Sequence, residues 1–215
     1  ATTRLREYLV QGYTMNQSRL AELGQTIQLL STRGGELSTD ESRGLLDIIA
    51  RYTESFILLN QYDRGSLSTD GEENITYIIQ YDEARSVIHE LRSRLIDQGE
   101  ATELFGREKD GSFGGILASI TATYDGIALY PTIEEQAAHL LYFTIKDHPF
   151  IDGNKRIGAF LFVWFLEQNR HRLRKSGEAK INESGLTTLA LLIAQSDPRE
   201  KELMIRLVGN LVGER

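Results

Sequence analysis

A histidine, a carboxylate, an amide and two cations stand within nine residues, His148-Pro149-Phe150-Ile151-Asp152-Gly153-Asn154-Lys155-Arg156. Pro149 and Gly153 make the stretch a loop rather than a helix. The run after it, Ile157 to Leu166, is so apolar that it reads as a buried helix. A loop that opens onto a helix suits a phosphate ligand. First-turn N–H groups lack intrahelical acceptors, and the helix dipole adds partial positive charge. Gly153 lets the backbone approach such a ligand, Asn154 offers side-chain N–H, and Lys155 and Arg156 supply charge. Asp152 can hold a Mg²⁺ bridging phosphate oxygens, or cap the helix that follows. His148 is the group whose ordinary pKa suits proton abstraction near neutral pH, a step worth roughly 10²–10⁴ in rate. Phe150 reads as an anchor in the core. His89, His139 and His171 have no motif around them and read as surface or packing residues.

The elements that must position this loop are helical. Asn16 caps a helix with Leu20, Leu23, Ile27 and Leu30 at spacings of three and four, stopped by Gly34-Gly35. After Ser38-x-x-Glu41, Leu45, Leu46, Ile49, Tyr52, Phe56 and Ile57 share a face of a second helix, ending near Gly65. A third spans about 75 to 96, with Ile78, Ile79, Val87, Ile88, Leu91 and Leu95 inward. A charged, glycine-rich loop from Gly106 to Gly115 follows. Ile116, Leu117, Ile120 and Tyr124 then recur at helix spacing. Asp125-Gly126 is a turn signal inside 123–132, which reads as a small hairpin. Thr132 and Glu135 form a capping box for an apolar helix carrying Ala137, Ala138, Leu140, Leu141 and Phe143. Beyond the loop, Ser176-Gly177-Glu178 is a turn. Leu186, Leu189, Leu192 and Ile193 are the buried positions of a helix over 184–195, and Asp197-Pro198 starts the last one. The expected fold is all-α: a helical bundle with a small β-hairpin flap, residues 70–215, preceded by a helical extension, 1–69.

Composition narrows the classes. The 215 residues can bury a core, there is no cysteine to form a disulfide, and the net charge of −7 argues against broad nucleic-acid binding by this piece. The basic cluster from Arg170 to Lys175 reads as a solvated helix end, or else as a contact for phosphate. No apolar run has membrane-spanning length and no signal peptide is visible, so the expected location is the cytoplasm. A start at Ala1 without Met suggests a piece of a longer chain.

His-Pro-Phe-x-Asp-Gly-Asn-Lys-Arg closely resembles the active-site signature of the Fic/Doc (Fido) family, over roughly residues 70 to 200. That resemblance implies transfer of a phosphate-containing group, usually AMP, from ATP with Mg²⁺ to a hydroxyl of a target protein. It makes His148 the general base, Asp152 the metal ligand and Gly153, Asn154, Lys155 and Arg156 the phosphate site. It makes Ile127, Ala128 and Leu129 the flap that holds the target by strand addition. Lys155 stands where AMP-transferring relatives usually have a second glycine, and Ala159 where they have another arginine. Both departures resemble the Doc branch, in which the terminal phosphate moves, and AMP and phosphate remain open. Thr69 to Asn74 resembles the segment by which some members inhibit themselves, with Glu73 as the inhibitory carboxylate. Leu5 to Met15 resembles the tail of a RhuM-type domain. The partners implied are the target protein, an antitoxin or a fused upstream domain, and a second copy of the chain, with neither membrane nor nucleic acid. The alternative is a catalytically idle nucleotide- or phosphate-binding regulatory module.

Overall fold

The computed structural model describes residues 55, 57–68, 71 and 74–213. The chain divides into two compact units between Leu67 and Ser68. In the first, residues 57–63 are helical and stop near Gly65, as the sequence suggests. Gly65 has φ +61° and its N–H donates to Tyr62 O at 3.0 Å. The first expected helix, the part of the second before residue 55, and Glu72 and Glu73 lie outside the described residues.

In the second unit the described elements are α1 (Tyr81–Asp97), α2 (Ser112–Ile120), the strands β1 (Thr123–Tyr124) and β2 (Ile127–Ala128), α3 (Ile133–Lys146), α4 (Asn154–Gln168), α5 (Glu183–Gln195) and α6 (Lys201–Val212). A 3₁₀ turn, Pro198–Glu200, leads into α6. Among the described residues the expected all-α architecture with one small hairpin is the observed one. α3 is its centre: α2, α4, α5 and α6 all pack on it, and Ala137, Ala138, Leu140, Leu141 and Ile145 are fully buried. Its start is fixed by the expected capping box, Thr132 Oγ1 accepting from Glu135 N–H at 3.1 Å. Gly158 sets its closest approach to α4, because a Cβ there would lie 3.1 Å from Ile145 and 3.3 Å from Thr144.

Four expectations are corrected. The helix expected from residue 75 begins only at Tyr81. Residues 74–80 are not helical and end extended at Gln80; they are alternately covered and exposed, with Ile79 buried and Ile78 57% exposed rather than inward. β-Branched and aromatic side chains favour that conformation, and Asn169 fixes it. Its Oδ1 accepts from Thr76 N–H at 3.1 Å and Tyr77 N–H at 3.0 Å, while Tyr77 packs edge-on against Trp164. Tyr124 does not extend the face of α2. The helix closes at Ile120, and Tyr124, on β1, is 85% exposed. Leu192 is 40% exposed, since α5 turns only Leu189, Ala190 and Ile193 fully inward. The fourth concerns Asp152, below.

Candidate active site

The nine-residue loop joins the C-terminus of α3 to the N-terminus of α4. His148 follows the C-cap Asp147 and has φ +50°, the left-handed conformation that usually ends a helix with glycine. For a histidine this backbone is strained by about 1 kcal/mol or more. Its side chain is exposed, while Pro149 and Phe150 are buried behind it. Phe150, fully covered, packs on Phe113 of α2 with ring centres 5.0 Å apart. It is the anchor expected of it.

α4 starts without a side-chain cap. Its N-cap is Gly153, at φ +89°, and not Asp152. Asp152 therefore sits one residue too early to cap the helix, and its Oδ1 instead accepts from Gly153 N–H at 2.7 Å. Glycine is required at 153 twice over: the backbone is left-handed, and a Cβ would come within 2.4 Å of the Phe105 ring. The first-turn N–H groups of Asn154, Lys155 and Arg156 precede the first intrahelical bond, from Ile157 N–H to Gly153 O at 2.8 Å. α3 and α5, by contrast, each have one first-turn amide capped by a side chain, Glu135 N–H by Thr132 and Gly185 N–H by Asn182.

The side chain of Asn154 is buried and turned back into the loop. Its Oδ1 accepts from Phe150 N–H at 2.9 Å and its Nδ2 donates to Phe150 O at 2.8 Å. It braces the loop, and its amide is not free to face a phosphate as expected. Arg156 lies over the Phe105 ring at 4.6 Å, donates to Glu100 O at 2.7 Å and stands 3.5 Å from Asp152 Oδ2. Lys155 is exposed and has no ion pair among the described residues.

The loop has a second support that periodicity did not reveal. Residues 105–109 run beside it, joined by backbone bonds: Gly106 N–H to Asp152 O at 3.1 Å, Ile151 N–H to Arg107 O at 2.8 Å, and Lys109 N–H to Pro149 O at 3.0 Å. α1 holds this strip in turn. Arg85 donates to Gly106 O at 2.9 Å and pairs with Glu108 at 3.0 Å, and Tyr81 donates to Glu108 at 2.7 Å. The sequence signal was the glycine-rich charged run from Gly106. Its partner, some forty residues on, has no local signature.

Ile127 and Ala128 form β2 of the expected hairpin and Leu129 extends it, donating to Ala122 O at 2.8 Å. Asp125 and Gly126, at φ +53° and +79°, make the turn. Ile127 and Leu129 are 72% and 55% exposed. The cluster from Arg170 to Lys175 lies past the other end of α4, about 22 Å along the axis from the loop, so it is not part of this site. Within it His171 is buried, with Nε2 2.8 Å from Glu134 Oε1 and 2.9 Å from Lys180 Nζ. His139 is buried too, stacked on Tyr130 at 3.6 Å, and desolvation lowers its pKa to about 4. His139 and His171 are the packing residues expected, here as members of a stack and of a buried polar group.

Among the described residues no three His, Asp or Glu side chains converge as a metal cage. The donor set still fits Mg²⁺, which keeps several waters and takes one or two carboxylates plus substrate phosphates. Asp152, half-exposed beside an open helix N-terminus and 3.5 Å from Arg156, is the carboxylate that could hold it.

The helical fold presents an uncapped helix N-terminus, a glycine N-cap, two cations and a histidine in one loop, an arrangement that suits an anionic ligand. Residues 79–166 match the model of the Fic/DOC family, a match that supports a transferase of phosphorus-containing groups in general. The match spans α1 to nearly the end of α4, a narrower stretch than 70–200. Curated proteins and solved structures gave no match. No helix among the described residues is long and apolar enough to cross a membrane.

Proposed function

We propose that the chain transfers a phosphate-containing group from ATP, with Mg²⁺, to a hydroxyl of a target protein. The observation that carries this reading is the open N-terminus of α4 behind Gly153, with His148 held at the other end of the same loop. Phosphate oxygens accept from the N–H groups of Asn154, Lys155 and Arg156, and both cations offset the negative charge. Asp152 would hold Mg²⁺, which when bound neutralises phosphate charge. His148 accepts the acceptor's hydroxyl proton as the new O–P bond forms. The P–O bond to the leaving pyrophosphate, or to ADP, breaks. The target lies along the exposed hairpin at Ile127, Ala128 and Leu129, adding a strand to it. The reaction belongs in the cytoplasm, where ATP is at hand.

Lys155 favours movement of the terminal phosphate. A long, exposed cation without an ion pair among the described residues reaches a phosphate beyond the one seated on the helix. Ala159, half-buried on α4, offers no second cation for the alternative pose. The test is incubation with Mg²⁺, cell lysate and ATP labelled at the alpha or the gamma phosphate, beside His148→Ala. Label from gamma alone is expected, with at least a hundredfold loss in the variant. Label retained from alpha means AMP transfer instead. Labelling that persists undiminished in His148→Ala removes the general-base assignment. Binding of ATP with no His148-dependent label from either position supports an idle regulatory module.

A further inference from the structure

Arg107 and Lys109 are two cations that neither the motif nor the reading above uses. Both are exposed, and neither has an ion pair among the described residues. The backbone bonds of Arg107 O to Ile151 and of Lys109 N–H to Pro149 hold them against the motif loop, beside Asp152 at one end and His148 at the other. Around the bridge that Glu108 makes with Phe150, side chains alternate between faces. Glu108, between them, is turned to α1, where Arg85 and Tyr81 hold its carboxylate. Arg107 and Lys109 therefore share the opposite face. The only carboxylates adjoining them in sequence are Glu108, engaged as described, and Asp110, which accepts from Ser112 N–H at 3.0 Å.

We propose that Arg107 and Lys109 form a second cationic rim of the anion site and select a polyphosphate over a monophosphate. The inference rests on the transferase reading. One phosphate group is satisfied by the first turn of α4 with Lys155 and Arg156. A triphosphate carries charge past that turn, and the strip bonded to the loop's other edge is where further cations stand. Because the side chains of Arg107 and Lys109 take no part in the bonds between strip and loop, replacing them leaves the loop in place.

The experiment is equilibrium binding of Mg²⁺-ATP and, separately, of AMP to the unaltered chain, Arg107→Gln/Lys109→Gln, Arg107→Lys/Lys109→Arg and Arg172→Gln. Arg172 pairs with Glu167 at the far end of α4 and controls for net charge. The Gln pair is expected to weaken ATP about five- to tenfold, the range for two exposed charge contacts. AMP affinity and thermal midpoint stay unchanged, and the charge-keeping pair restores ATP binding. Equal ATP affinity in the unaltered chain and the Gln pair overturns the rim while leaving the transferase reading intact. So does an equal loss for AMP, or for Arg172→Gln. An unaltered chain that binds no nucleotide overturns both.

Discussion

His148 occupies a position that stability alone would give to glycine. At φ +50° it ends α3 in the left-handed conformation, one residue before a proline. His148→Gly is therefore expected to raise the unfolding free energy by about 1 kcal/mol while abolishing transfer. Urea denaturation beside a transfer assay reads both, and a variant less stable than the parent would show that the side chain supports the fold. Asn154 poses the converse question. A buried amide that closes two bonds to the Phe150 backbone leaves an N–H and a C=O unpaired when it is cut back. Asn154→Ala should cost about 2 kcal/mol as well as activity. A donor that served only phosphate would lose activity at constant stability.

At the scale of elements, what could be read from sequence was whatever repeats locally. α3, with its Thr132–Glu135 box and apolar face, and α4, with its unbroken apolar run, were legible because period and cap lie within one segment. So was the hairpin, through Asp125-Gly126. Residues 75–80 were misread as helix because their apolar residues fit a helical face well enough. What decides their shape is Asn169, nearly a hundred residues away. The nine motif residues were found as a group, but their division of labour was not. That Gly153 caps α4, that Asn154 faces inward and that residues 105–109 form the loop's outer edge follow from the placement of Phe105 and Phe150. No short window contains both.

For the molecule as a whole, the buried histidine stacked on Tyr130 ties stability to acidity. Desolvation holds His139 neutral, with its pKa down at about 4 against an ordinary 6.5. A base whose pKa is lower folded than unfolded binds protons better when unfolded, so acid favours unfolding. Stability is full above about pH 6.5 and falls as pH drops toward 4, by up to about 3 kcal/mol from this group. Urea midpoints at pH 7 and pH 4.5 should show a smaller difference in His139→Gln than in the parent. An unchanged difference would place the acid sensitivity elsewhere. The loop itself is secured differently. Its bonds to residues 105–109 are all made by main chain, so that edge of the loop does not depend on the side chains at 107, 109 and 151. Positions 107, 109, 151 and 155 are then open to drift through lineages without rebuilding the socket. One ancestral cradle can in this way diverge toward different donors by exchanging only the teeth around its rim.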